Sequence, residues 1–314
     1  MLVTLVSILA VAASANLVDA KNATSIYCSG RGGCTCDCSW ANPNSCQHDD
    51  GSCCYGCCCS APPVPPPPGP GPGPGPGPSP GGSQYCPSAN DIVAAYGSPN
   101  IFNGGWSITG GGAAATKASF NLLGGSVEYD IDLSHANTGV NANIYTISPT
   151  GISGWTGFNQ GNYCDGAKTG GDWCVEVDWI ESNGNCGGQT TLHTVAGSWG
   201  SGCNAGGCAN SYTYNGASSF HMKVTFGTDG SWTTCRDWDC ISMLNLSPMP
   251  GGSDVATLVK YYSGVGAVIY SSQWQGWVPV ASCGGGGDLQ SSSFKISNLR
   301  IIGTVVQGPT PTAC

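Results

Sequence analysis

An antiparallel β-sandwich or jelly roll is the fold class predicted for residues 84–314. Apolar and polar side chains alternate with period two along most runs, Gly-rich and Asn-rich turns separate the runs, and no helical stripe exceeds about three turns. Many short strands with such turns pack as two layers around one core. In 126–133, Val127, Tyr129, Ile131 and Leu133 alternate with Glu128, Asp130 and Asp132. In 220–226, Phe220, Met222, Val224 and Phe226 alternate with His221, Lys223 and Thr225. Further strands are predicted at 141–147, 175–181, 258–262, 267–273 and 294–306. The stretch 89–96 comes nearest to a helical pattern.

Composition excludes several classes. Charged residues make up 9% of 314 residues, where ordinary domains carry about 25%. Ten Trp and 12 Tyr argue against charge-driven disorder, and the 50 Gly lack the three-residue period of collagen. A net charge of −9 with nine scattered Lys and Arg predicts neither nucleic-acid binding nor attachment to anionic lipid. No stretch reaches the roughly 18 apolar residues of a membrane span. A monomer is expected.

The chain reads as four segments. Residues 1–20 form a secretory signal: an apolar run ends in small residues at Ala13-Ser14-Ala15, with a second possible cut after Ala20. Residues 21–60 are a cysteine-rich module, with ten Cys between Cys28 and Cys59. So small a segment needs covalent staples or a metal cluster, and Tyr27, Trp40 and Tyr55 with the secretory context favour disulfides. It serves as a carbohydrate-binding appendage or as a plain spacer. Residues 61–83 are a Pro/Gly linker, extended because alternating Pro and Gly continue neither helix nor ladder. Residues 84–314 are the β-sandwich, with the other ten Cys. Asn22-Ala23-Thr24 and Asn245-Leu246-Ser247 are glycosylation sequons.

The chain contains three glutamates, and two of them stand in Glu176-Val177-Asp178-Trp179-Ile180-Glu181. On a strand Glu176 and Asp178 share a face, and one bulged residue after Asp178 brings Glu181 to it as well. Three acids in one groove repel, so at least one holds a proton near neutral pH. Retaining glycosidases exploit that condition: one carboxylate attacks the anomeric carbon, and a protonated partner about 5 to 5.5 Å away protonates the leaving oxygen. Asp178 between them can orient the nucleophile.

The hexapeptide resembles the E-x-D-x-x-E strand of the family-seven cellulases and the bulged branch of the family-sixteen β-glucanases, two concanavalin A-like jelly-roll families. The stretches 126–134 and 139–145, the Gly161-Asn162-Tyr163-Cys164-Asp165 turn, 266–274 and 294–301 carry the same likeness; the cysteine module does not. The resemblance implies Glu176 as nucleophile, Asp178 as its orienting partner and Glu181 as acid and base. It implies His193 near the acid, Trp274 stacking on a sugar, and Asn143 and Tyr145 projecting from a groove-facing strand. Trp155, Trp173, Trp179, Trp199 and Trp277 are further stacking candidates. The family-seven members are usually longer, with loops that roof the groove, so this chain is expected to have an open cleft and endo action.

A secreted retaining endo-β-glucanase is therefore expected, acting on β-1,4 or on β-1,3/1,3-1,4 glucan without cofactor or metal. A non-catalytic carbohydrate-binding or wall-structural protein and a wall-remodelling transglycosylase are the alternatives.

Overall fold

The structure is a computed structural model that describes residues 34–36, 46–48, 82–150, 155–169, 171–194, 203–204, 206–237 and 239–314. The expected signal (1–20), all but two short strands of the cysteine module, nearly all of the linker, and Trp199 lie outside the described residues. The chain divides into two compact units, Met1–Gly75 and Pro76–Cys314. In the first, β1 (Cys34–Cys36) pairs antiparallel with β2 (Cys46–His48), Cys36 opposite Cys46.

The second unit begins with β3 (Ser83–Tyr85), β4 (Ile92–Tyr96), β5 (Asn100–Phe102), β6 (Gly105–Thr109) and β7 (Gly112–Thr116). Then come β8 (Ser119–Asp132), β9 (Val140–Ile147), β10 (Glu176–Asn183), β11 (Gly187–His193), β12 (Cys208–Thr213) and β13 (Ser219–Phe226). The last are β14 (Trp232–Arg236), β15 (Asp239–Ser242), α1 (Gly252–Gly264), β16 (Val268–Gln275) and β17 (Ser293–Gln307). They form the expected all-β jelly-roll sandwich. One sheet runs β12-β11-β10-β9-β16-β7-β4 and the other β15-β14-β13-β8-β17-β6-β5, with β3 added on β17. Every pairing is antiparallel.

Alternation decides which residues meet between the layers. Along β13, Phe220, Met222, Val224 and Phe226 are buried while their neighbours face solvent. Each contributes about 1.5–3 kcal/mol through the apolar area it removes from water. On the outer face Lys223 pairs with Glu128 at 2.7 Å and His221 with Asp130 at 2.8 Å. Trp106, Trp179, Trp232 and Tyr129 are fully buried among the aliphatic residues of both sheets.

The expected strand at 258–262 is instead part of helix α1. Val255, Leu258, Val259 and Tyr262 recur at helical spacing, with Leu258 and Tyr262 buried, and Asp254 holds the first turn by accepting the Gly251 N–H at 2.7 Å. A five-residue window of Leu, Val and two Tyr is too short to tell the two periods apart. At 89–96 a single 3₁₀ turn, Ala89–Asp91, gives way to β4.

All ten cysteines of the second unit are paired. Cys86–Cys314 joins the ends of the unit across 228 residues, a closure worth about 5 kcal/mol on chain entropy. Cys164–Cys174, Cys186–Cys283, Cys203–Cys208 and Cys235–Cys240 tie shorter loops. Among the described residues no helix is long and apolar enough to cross a membrane.

Candidate active site

Strand β10 carries the site. Val177, Trp179 and Ile180 point into the sandwich and are fully buried, whereas Glu176, Asp178 and Glu181 line one cleft of about 760 Å³. Two consecutive inward residues are the mark of a bulge. The ladder to β11 slips between Asp178 and Glu181, and the ladder to β9 slips between Asp178 and Ile180. Without that slip Glu181 would point into the core.

Register extends the cleft floor across the sheet in rows. Gln189, Glu181, Asn143, Ser272, Ala113 and Tyr96 stand opposite one another strand by strand. The next row holds Thr191, Asp178, Tyr145 and Tyr270, and the third holds His193 and Glu176. Trp274 lies two residues beyond Ser272 on the same face. The sheet therefore places on one surface the expected Glu176, Asp178, Glu181, His193, Asn143, Tyr145 and Trp274.

Trp277 also lines the cleft and is 49% exposed. Trp155 does not line it: its indole N–H donates to the Lys117 carbonyl at 3.3 Å and its ring packs on Phe158. Trp173 meets Tyr261 edge-on, and Trp179 stacks on Tyr129 in the core.

Each carboxylate has its own partners. Glu176 Oε2 accepts the Gly166 backbone N–H at 2.7 Å. That donor is held by a loop in which Asp165 accepts from Tyr163 Oη at 3.0 Å and from the Thr169 N–H at 2.7 Å, with Cys164–Cys174 at its base. Tyr145 in turn donates to Tyr163 at 3.1 Å. Glu181 Oε2 accepts from Gln189 Nε2 at 2.9 Å and Thr191 Oγ1 at 3.0 Å. Asp178 Oδ2 accepts no hydrogen bond and lies 3.4 Å from His193 Nε2, an ion-pair distance. Asn143 Oδ1 accepts from Ser272 N–H at 2.7 Å and Oγ at 2.9 Å, which fixes its side chain beside Glu181.

Burial and mutual repulsion shift these groups. Glu181 is pushed up to about 7, first by burial and then by the charge of Asp178, against the hydrogen bonds of Gln189 and Thr191 and the charge of His193. Glu176 also rises, through burial and Asp178, with His193 and the Gly166 N–H opposing the rise. Burial pulls His193 down, but contact with Asp178 and the charges of Glu176, Asp178 and Glu181 outweigh it and carry it to about 10. An imidazolium thus sits among three acids, two of which, Glu176 and Glu181, keep their protons to higher pH than a free carboxyl.

Oxygens of Glu176 and Asp178 and a ring nitrogen of His193 lie within 4.8 Å of one another, but a protonated His193 offers no lone pair, so the trio is an ion-paired cluster and not a metal ligand set. Gln189, Thr191 and the Gly166 amide are functional contacts that sequence reasoning missed. Gln189 and Thr191 share parity with His193 on β11, a signal that was available. The amide is not readable from residue types.

No family model and no curated protein matches the chain. Solved structures similar to it include the endocellulase EGI of Humicola insolens, at 13% identity over 62% of this chain and 75% of that one, TM-score 0.45. A GH7 family cellobiohydrolase from Daphnia pulex is similar at 13% identity over 64% and 79%, TM-score 0.45. The endo-1,3-β-glucanase of Streptomyces sioyaensis is similar at 13% identity over 65% and 76%, TM-score 0.43.

Proposed function

We propose that the chain is a glycoside hydrolase, a retaining endo-β-glucanase working by double displacement. The observation that carries the reading is the β10 bulge, which aligns Glu176, Asp178 and Glu181 along one wall of one cleft with Glu181 tuned to about 7. A group held near neutrality can both give and take a proton, as an acid that later turns base must.

Glu176 attacks the anomeric carbon while Glu181 protonates the departing glycosidic oxygen, leaving a glycosyl ester on Glu176. Glu181, now ionised, takes a proton from water, and the hydroxide displaces Glu176 with net retention. Burial and Asp178 hold Glu176 well above the usual carboxylate range, and His193 and the Gly166 N–H are the groups that favour the ionised form its attack requires. Asp178 holds His193 against the pair. Trp274 and Trp277 offer flat apolar surfaces to sugar rings.

The exposure of Trp277 and of Tyr96, 39%, supports an open groove over a roofed tunnel, and hence internal cleavage. Five disulfides in the second unit fit an oxidising compartment, in line with a secreted chain whose residues 21–60 and 61–83 act as module and linker.

The test is a product profile on cellulose oligomers, laminarin and mixed-linkage glucan. Internal cleavage with retained anomeric configuration is expected. Elongated products would turn the assignment to a transglycosylase, and binding without turnover to a non-catalytic module.

A further inference from the structure

We propose that Asp254 is a positioning residue: through the base of the Cys203–Cys208 loop it fixes the Asn204 carbonyl against His193 Nδ1, and so orients the ring toward Asp178. The effect on turnover rests on the function proposed above; the coupling of Asp254 to the ring does not.

Asp254 is 1% exposed, and a carboxylate so far from water is costly unless each oxygen is satisfied. Capping α1 uses only Oδ2, which accepts the Gly251 N–H. Oδ1 takes two donors that do not belong to the helix. Thr194 Oγ1 donates to it at 2.5 Å, from the residue after His193, and the Cys203 N–H donates at 3.1 Å. Thr194 N–H in turn donates to the Cys203 carbonyl at 2.7 Å. One carboxylate oxygen therefore staples the end of β11 to the first residue of the disulfide loop.

The next residue in that loop supplies the partner of the ring. Asn204 O lies 3.1 Å from His193 Nδ1. A carbonyl only accepts, so Nδ1 carries hydrogen, and Nε2 faces the carboxylate Asp178 Oδ2, which also only accepts. With Nδ1 committed to Asn204 O, a proton on Nε2 makes the ring an imidazolium, the form that pairs with Asp178 across 3.4 Å. Both flanking loops come close enough to His193 that only glycine fits: a Cβ on Gly207 would lie 2.7 Å from His193 Cε1, and one on Gly166, on the opposing loop, 2.2 Å from His193 Cβ. The charged groups facing the ring are Glu176, Asp178 and Glu181, all on β10; Asp165 acts on Glu176 from the loop before β10. With Asn204 O displaced, Nδ1 has no acceptor to hold its proton, and the ring can lose it while Nε2 keeps the one facing Asp178 Oδ2.

The experiment follows His193 by ¹⁵N-edited NMR across pH in the full chain, as wild type, Asp254→Asn, Thr194→Val and Gly251→Pro, with His193→Gln to assign the signal. Asp254→Asn and Thr194→Val are expected to let His193 lose its proton at least about one pH unit lower. They are expected to lower kcat about tenfold with KM little changed, because the ring facing Asp178 and the two glutamates is less firmly held. Gly251→Pro removes only the Oδ2 donor, and is expected to lower Tm while His193 titrates as in wild type. Unchanged His193 titration in both Asp254→Asn and Thr194→Val, with only Tm reduced, would overturn the proposal and leave Asp254 a helix cap. If the wild type cleaves no β-glucan, the function falls, and the NMR titration alone decides the coupling.

Discussion

Asp178 and Glu181 stand three positions apart on one strand and yet line the same cleft, because the ladder to β11 slips between them. Regular pleating would send one of the two into the core. The bulge therefore makes three neighbouring acids into a site, and the expected consequences of changing its parts follow from their contacts.

Replacing the proposed nucleophile isosterically removes the charge that would attack and keeps the cleft shape. Glu176→Gln is expected to lower kcat by about 10³-fold or more while β-glucan binding stays within a fewfold of wild type. Turnover assays and a pull-down on insoluble glucan check both.

Glu181→Ala removes the proposed proton donor, so substrates with poor leaving groups are expected to stall. Aryl glycosides with good leaving groups still form the glycosyl ester, and azide, which needs no general base, is expected to restore turnover as a β-glycosyl azide. Kinetics with and without azide, and product analysis by NMR, test this.

The alkaline limb of the activity profile is expected near pH 7, where Glu181 loses its proton. Gln189 and Thr191 donate to the ionised form and hold the pKa down. Gln189→Leu or Thr191→Val removes that support, so Glu181 keeps its proton to higher pH and the limb moves up. A kcat/KM profile for each variant measures the direction.

The same group ties stability to pH. A carboxyl raised from 4.5 to about 7 on folding contributes its stability in full below 4.5, and that contribution is lost as pH climbs through about 7. Glu181→Gln is therefore expected to match wild type near pH 4 and to exceed it above pH 7 by ~2 kcal/mol, once half-burial is allowed for. Thermal melts at the two pH values compare them.

At Gly166 a methyl group would meet His193 Cβ at 2.2 Å and Cγ at 2.6 Å. Gly166→Ala is expected to displace both the ring and the amide that holds Glu176, lowering kcat about 10²-fold with the sandwich core untouched. Circular dichroism alongside kinetics separates the two effects.

The bulge was legible in the sequence because two inward apolar residues, Trp179 and Ile180, interrupt an alternation that carries acids on its other face. Asn143 and Tyr145, expected on a groove-facing strand from the family resemblance, lie on β9 directly opposite Glu181 and Asp178. The helix was missed because 258–262 was read without Asp254 and Val255, whose positions reveal the longer period. Trp155 misses the cleft for a reason no pattern carries: an aromatic residue in a loop has no face parity, and packing on Phe158 and the bond to the Lys117 carbonyl decide its place. The Gly166 amide and the Asn204 carbonyl were beyond reach, since main-chain groups are identical at every residue and only the folded loops aim them.

Double displacement requires that Glu176 become covalently attached to the sugar. The most direct measurement incubates the full chain with 2-deoxy-2-fluoro-β-cellobiosyl fluoride and its laminaribiosyl counterpart, followed by peptide mass spectrometry. The fluorine at carbon 2 slows both steps and the good leaving group restores the first, so the ester is expected to accumulate on the peptide containing Glu176. Absence of any adduct from either reagent, or an adduct on a residue other than Glu176, would contradict the account.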